Sequence, residues 1–122
     1  MSDWMNDELS TIGIAGEIYV STVRTDGSSL PYVPIWVVRV GEELYVRSYR
    51  GQGGSWYRHA LRDGHGHIRV AGTERDVEFS SPGDIANETI DGAYRAKYGR
   101  SGYVDTMVDD DVAATTLRLT PR

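Results

Sequence analysis

A segment in the middle of the chain combines basic, glycine and hydroxyl residues in a pattern that could bind an anion. Arg47 and Arg50 stand at the end of a β-forming run, and GQGG follows at residues 51–54. Ser55 is the predicted N-cap of the helix-forming run WYRHALR, which Gly64 can end in a left-handed conformation. Free N–H groups at the start of a helix attract phosphate or carboxylate, and arginine binds such groups through paired hydrogen bonds. Glycine lets the backbone approach a ligand closely. The segment therefore predicts an anion site.

Two aromatic residues at the start of the predicted helix extend this site. Trp56 and Tyr57 offer flat apolar surfaces on which a ring could stack, so the pattern favours a nucleotide-like or flavin-like ligand. A solvated strand end followed by a helix with a core tryptophan fits the same residues, and both interpretations stay open. The glycine spacing matches neither a dinucleotide-binding fingerprint nor a P-loop.

The histidines give weaker signals. His65 and His67 are two apart, which permits metal binding, but no third ligand is evident in the nearby sequence, so we predict surface residues and no metal. His59 lies in the helix beside the predicted anion site, where it could act as a general base. A histidine on a helix surface explains it equally well.

The composition indicates one soluble globular domain spanning residues 1–122. Hydrophobic residues make up 39% and charged residues 25% of the chain, and the net charge of -5 argues against nucleic-acid binding. The chain has no cysteine, which excludes disulfides and thiolate chemistry. The start MSDWMNDELS is acidic where a signal peptide is basic, and no apolar run is long enough to span a membrane. We expect a cytoplasmic protein.

Hydrophobic periodicity predicts a mixed α+β fold with a mostly antiparallel sheet. The runs IWVVRV and LYVRSYR form a hairpin around Gly41, and HIRVAG and ERDVEFS form a second hairpin. Hairpins dominate and crossovers are short, so the sheet is expected to curl into a small barrel with two or three helices at its rim. The predicted strands are 17–24, 35–40, 44–50, 67–72, 74–80 and 115–121, and Leu117 and Leu119 of the last strand are expected to face inward. The predicted helices are 3–11, 56–62 and 84–99, the last of them capped by Asp84.

Four sequence blocks carry a resemblance to a known family. IWVVRVG, GGSWYR, AYRAKYG and ATTLRLTPR together resemble an uncharacterised bacterial family of small split-barrel domains, over nearly the whole chain. The middle third, from VPIWVVRVG to RDVEF, also resembles the deazaflavin-dependent nitroreductase-like branch of the FMN-binding split-barrel proteins. The resemblance implies a six-stranded split β-barrel.

The resemblance also implies a cofactor and the residues that contact it. A deazaflavin coenzyme or FMN would place its phosphate at the strand end and helix entry and its ring near Trp36. Small barrels of this superfamily often share the site between two subunits, so the resemblance also implies a homodimer. The cofactor performs hydride chemistry, so no catalytic residue is strictly required, and Tyr45, Tyr49 or Tyr98 could donate a proton. The cofactor-binding residues implied are Trp36, Arg47, Ser48, Arg50, Gly53, Gly54, Ser55, Trp56 and Tyr57.

Three functions remain open at the level of sequence. The first is binding of a flavin-type cofactor or a similar anionic aromatic ligand by a small oxidoreductase, which predicts a coloured protein. The second is a cofactor-free domain that binds a small molecule in the barrel cleft, with cyclase or isomerase activity as one form. The third is an interaction module without a ligand, which predicts no enclosed pocket beside Trp56.

Overall fold

Seven β-strands and five α-helices make up the part of the chain that the computed structural model describes, residues 4–122. None of its helices is both long and apolar enough to cross a membrane. The strands are β1 Ile18–Ser21, β2 Val33–Ile35, β3 Val37–Val40, β4 Glu43–Val46, β5 His65–Val70, β6 Thr73–Ser80 and β7 Leu117–Pro121. The α-helices are α1 Asn6–Ile14, α2 Ser55–Asp63, α3 Asn87–Tyr98, α4 Val104–Met107 and α5 Asp110–Ala113, and a 3-10 turn covers Gly51–Gly53.

The seven strands form one antiparallel sheet in the order β2-β1-β5-β6-β7-β4-β3. The two edge strands, β2 and β3, follow each other in the chain with only Trp36 between them. Such a short link requires the sheet to curl until its edges meet, because one residue spans less than about 4 Å. The α+β antiparallel split barrel predicted from the sequence is confirmed, with the split at Trp36.

The seventh strand arises where the sequence predicted one continuous run at 35–40. Ile35 ends β2, which pairs with β1, whereas Val37 begins β3, which pairs with β4. The chain therefore changes partners at Trp36, and the six predicted strands become seven. The additional helices α4 and α5 lie between α3 and β7, a stretch for which no element was predicted.

Side chains from the end of α3 close the split between the two edges. The ammonium group of Lys97 donates to the Val37 carbonyl at 2.7 Å, and the Tyr98 hydroxyl donates to the Gly16 carbonyl at 2.9 Å. The Val37 N–H in turn donates to the Tyr98 hydroxyl at 3.3 Å. The bonds of Lys97 and Tyr98 to Val37 satisfy backbone groups at the open edge of β3, so α3 covers an exposed sheet edge.

The interior contains two apolar clusters on either side of the sheet. Inward-facing residues such as Ile18 and Leu44 fill the barrel, while Ile90 and Tyr94 of α3 pack against the other face of β3 and β4. Each fully buried aliphatic side chain contributes about 1.5–3 kcal/mol of transfer free energy. Leu117 and Leu119 point inward, as predicted for β7.

Several predicted boundaries shift by a few residues. The strand predicted at 44–50 ends at Val46, where the chain leaves the ladder with β7. The predicted 84–99 helix begins at Asn87, with Ala86 rather than Asp84 before it, and the predicted 3–11 helix begins at Asn6. Position 3 lies outside the described residues. Gly41 and Gly64 have positive φ of 64° and 75°, which confirms the predicted turn and the predicted end of α2.

Candidate ligand-binding cleft

An open cleft of about 760 Å³ lies between the β1–β2 edge and the turn that follows β4. Its volume falls within the range of sites that bind small molecules and cofactors. The predicted cofactor contacts Trp36, Arg47, Ser48, Arg50, Gly53, Gly54, Ser55 and Trp56 line it, whereas Tyr57 is buried in the barrel core. The other lining residues are Glu17, Val20, Thr22, Leu30, Pro31, Val33, Pro34, Ile35, Tyr49, Tyr103 and Met107.

Aromatic side chains provide flat surfaces in this cleft. The Trp36 indole stacks on the Tyr98 ring with centroids 4.0 Å apart and planes 1° from parallel. Tyr98 does not line the cleft, so it supports Trp36 from behind. Tyr49 and Tyr103 meet edge to face at 5.9 Å and remain about half exposed, at 47% and 63%. Tyr103 was missed by sequence reasoning, because it precedes a four-residue helix that has no clear periodicity.

The turn after β4 is held in shape by hydrogen bonds to Ser48. Its hydroxyl donates to the Gly51 carbonyl at 2.8 Å, and its N–H donates to the Thr115 hydroxyl at 2.8 Å. Gly51 has φ of 68°, a conformation that other residues rarely adopt. A Cβ on Gly54 would collide with the Ser48 hydroxyl, so a side chain at this position would push the hydroxyl away from the Gly51 carbonyl.

The start of α2 presents unpaired backbone donors beside the cleft. Gly54, not the predicted Ser55, is the N-cap, and no side chain caps the helix. The first hydrogen bond of the helix runs from the Arg58 N–H to the Gly54 carbonyl, which leaves the three preceding N–H groups without an intrahelical acceptor. These groups carry the positive end of the helix dipole. A helix start whose first N–H groups lack an intrahelical acceptor therefore borders the cleft, at the position where the sequence predicted an anion site.

Arg47 requires a correction to the predicted site. Its side chain is fully buried, and its guanidinium donates to Asp91 at 2.6 Å, to the Thr116 hydroxyl at 2.8 Å and to the Met107 carbonyl at 2.9 Å. It also lies 5.3 Å from the centre of the Tyr94 ring. Because the β4 ladder ends at Val46, the Arg47 side chain turns into the protein and connects α3, α4 and the residue before β7, so its charge is satisfied internally.

Two cleft residues of opposite charge have no such internal partner. Arg50 is exposed beside the 3-10 turn, and Glu17 is exposed just before β1. Neither forms an ion pair or a side-chain hydrogen bond within residues 4–122. Most of the remaining lining is apolar.

The weaker catalytic candidates occupy different places. Tyr49 lines the cleft, whereas His59 lies outside it and its Nδ1 contacts the Ser55 carbonyl at 2.7 Å. Tyr98 lies behind Trp36, and burial raises its pKa to about 12. Tyr45 is buried against the cluster under α3, and burial raises its pKa as well.

The outer face of β5 and β6 holds the remaining two histidines. His67 Nδ1 lies 2.6 Å from an Asp76 carboxylate oxygen, and the strand register places Glu78 opposite His65. The sequence did not reveal these carboxylates, because the hairpin brings them close only after folding. Among residues 4–122, no three such side chains converge into a group that could hold a metal ion.

Comparison with known proteins identifies a family and a fold. Residues 8–119 match the family described as "Uncharacterized protein conserved in bacteria (DUF2255)". No curated protein sequence matches the chain. A conserved hypothetical protein from Mycobacterium tuberculosis is similar in structure, with a TM-score of 0.63 and 11% identity over 97% of this chain and 79% of that one.

Two further solved structures share the architecture. An F420 reductase has a TM-score of 0.57 and 18% identity, with 93% of this chain and 92% of that chain covered. An FAD and heme binding protein from Mycobacterium smegmatis has a TM-score of 0.51 and 20% identity, with 94% of this chain and 64% of that chain covered. At these identities the likeness establishes a common fold. The split-barrel resemblance noted in the sequence is confirmed.

Proposed function

We propose that this chain, which belongs to the bacterial family DUF2255, binds a flavin- or deazaflavin-type cofactor, or a similar anionic aromatic ligand, in the cleft beside Trp36. The observation that carries the proposal is the meeting, in one cleft, of a stacked indole, an uncapped helix start and an unpaired arginine. Together these groups suit a ligand with a planar ring and an anionic tail.

The anionic tail would lie at the start of α2. The N–H groups of Ser55 and Trp56 have no intrahelical acceptor, and Arg50 adds a full positive charge on the same turn. A phosphate or carboxylate would therefore find both backbone and guanidinium donors there.

The planar ring would lie against aromatic surfaces of the cleft. Trp36 is held rigidly by Tyr98 at 4.0 Å, so little conformational entropy would be lost when a ring stacks on its cleft side. Trp56, Tyr49 and Tyr103 provide further aromatic walls. Burial of a flat heterocycle against such surfaces is favourable both as apolar burial and as ring stacking.

The similar structures support this ligand class. Two of them are named as an F420 reductase and as an FAD and heme binding protein, so the fold accommodates ring cofactors in those proteins. A flavin or deazaflavin, when bound, supplies hydride transfer. The residues of this chain would bind it, orient its ring and exclude water, and Tyr49 is the cleft tyrosine whose hydroxyl could hold a proton for a substrate. We therefore favour oxidoreductase activity.

Titration of the purified protein with FMN and with a deazaflavin tests the proposal. We expect quenching of ligand fluorescence that saturates, because stacking on tryptophan couples the two rings. A dissociation constant no tighter than about 1 mM for both ligands would lead us to abandon the proposal, since that affinity represents only about 4 kcal/mol.

A second candidate is a cofactor-free domain that binds an uncharged small molecule, including cyclase or isomerase activity. The apolar character of much of the cleft favours it, as does the burial of Arg47, which leaves Arg50 as the one accessible arginine among the described lining residues of the cleft. This candidate predicts a colourless protein that binds apolar ring compounds without any contribution from Arg50.

We also propose a homodimer in which a second copy covers the exposed aromatic rim of the cleft. Tyr49, Tyr103 and Val33 line the cleft and are exposed to 47%, 63% and 36%. An exposed apolar cluster of this kind often marks an interface. Light scattering after size exclusion would give twice the 13.6 kDa chain mass if the proposal holds, and the single chain mass would refute it.

A further inference from the structure

Glu17 is a charged cleft residue that anion binding does not use. Its carboxylate lines the cleft but forms no ion pair and accepts no side-chain hydrogen bond within residues 4–122. It does not pair with Arg50, which is likewise free. The two belong to different walls, since Glu17 precedes β1 and Arg50 follows β4. The cleft therefore has a candidate anion site at Arg50 and, on a different wall, a hydrogen-bond acceptor in the Glu17 carboxylate.

Glu17 and Trp36 lie at the same end of the β1–β2 ladder. Ile18 of β1 and Ile35 of β2 form the last pair of this ladder, Glu17 directly precedes Ile18, and Trp36 directly follows Ile35. Both residues line the cleft. The adjacent Gly16 carbonyl is fixed by the Tyr98 hydroxyl at 2.9 Å, which anchors this backbone next to the stacked rings.

The raised pKa of Tyr98 agrees with a position of Glu17 near the stacked rings. Burial is the main cause of this raised pKa, and the negative charge of Glu17 raises it further. The Glu17 carboxylate is therefore close enough to the Tyr98 hydroxyl, on the ring that supports Trp36, to influence its ionisation. A heterocycle that stacks on Trp36 would bring its edge towards the same carboxylate.

We propose that Glu17 determines which ring the cleft accepts, by accepting a hydrogen bond from a ring N–H of the heterocycle stacked on Trp36. This inference rests on the proposed function and narrows it to planar heterocycles that carry an imide or amide N–H, as flavins and deazaflavins do. Arg50 and the start of α2 would bind the anionic tail, whereas Glu17 would bind the ring, so separate groups recognise the two ends of the ligand.

A ring without an N–H donor is disfavoured for a physical reason. Glu17 is exposed to water, and a bound ring would remove part of that water. A carboxylate that loses its hydration without gaining a donor costs free energy, whereas a donor from the ring restores the hydrogen bond with the added strength of a charged acceptor. The carboxylate therefore selects for rings with a donor, and against rings with a negative charge, at that edge.

A comparison of FMN with its N3-methyl derivative tests this role, because methylation removes the imide N–H and leaves the phosphate unchanged. We expect the wild-type protein to bind FMN about tenfold or more tightly than N3-methyl-FMN. Glu17→Ala should reduce this ratio to about one. Glu42→Ala, which removes an exposed acid in the turn between β3 and β4 and outside the cleft, should leave the ratio unchanged.

The outcomes separate this inference from the proposed function. If FMN binds but the wild-type protein does not discriminate against the methylated ligand, or if Glu17→Ala retains the discrimination, the role of Glu17 is refuted while cofactor binding stands. If FMN does not bind the wild-type protein at all, the proposed function fails and this inference fails with it. Circular dichroism of both variants checks that each is folded as the wild type is.

Discussion

Replacement of Asp91 by asparagine tests whether Arg47 is an internal structural cation. Arg47 is fully buried, and its shortest contact is to Asp91 at 2.6 Å. Removing one partner from a buried ion pair costs about 3–5 kcal/mol, since the remaining charge is left uncompensated. The Asp91 side chain is 28% exposed, and Arg47 keeps its bonds to Thr116 and Met107, so we reduce the expected loss to about 2 kcal/mol.

Urea denaturation followed by tryptophan fluorescence measures this loss. The matched control is Asp105→Asn, which removes the acid of the exposed Arg95–Asp105 pair at 3.3 Å and should cost less than about 0.5 kcal/mol. In thermal unfolding, Asp91→Asn should lower Tm by roughly 6–12 °C for a domain of this size. A loss no greater than that of Asp105→Asn would show that Arg47 is not held as described, and its charge would again be a candidate for ligand binding.

Two further perturbations address the turn after β4 and the closure of the split. Gly54→Ala should cost about 1–3 kcal/mol of stability, since its Cβ would collide with the Ser48 hydroxyl. Gly53→Ala has open space around its Cβ and should leave stability nearly unchanged. Equal losses of stability in calorimetry would argue against a packed turn. Burial lowers the pKa of Lys97 to about 8, so the unfolded chain binds more protons above that pH, and the free energy of unfolding should rise from about pH 8 to pH 10 relative to Lys97→Met. The measurement ends at pH 10, because above that pH the raised pKa of Tyr98 makes the free energy of unfolding fall as the pH rises. If the difference in unfolding free energy between the wild type and Lys97→Met did not change from pH 8 to pH 10, the burial of Lys97 would be contradicted.

Local sequence patterns predicted most of the elements of the fold. The hairpin around Gly41 and the helix that ends at Gly64 depend on neighbouring residues alone, and the structure has both. The division of IWVVRV at Trp36 could not be predicted in the same way. Every residue of that run favours a strand, and only the closure of the barrel decides that Ile35 and Val37 pair with different strands.

The candidate site shows the same limit. Residues 48–56 form one continuous segment, so their approach to a common cleft follows from a strand end, a turn and a helix start. Arg47 belongs to the same segment, but its partners Asp91 and Thr116 lie 44 and 69 positions away, and nothing local distinguishes it from Arg50. Glu17 and Tyr103 reach the cleft from distant parts of the chain, so only the folded structure identifies them as lining residues.

The central claim is that an anionic ring ligand binds with its tail at Arg50 and the start of α2. The most direct test is the dissociation constant of FMN for the wild type, for Arg50→Ala and for Arg58→Ala, an exposed arginine of the same helix that does not line the cleft. Loss of a charge-assisted hydrogen bond of about 1.5–3 kcal/mol predicts roughly 10- to 150-fold weaker binding for Arg50→Ala, with little change for Arg58→Ala. Equal affinities for all three proteins, or an equal loss in both variants, would contradict the claim.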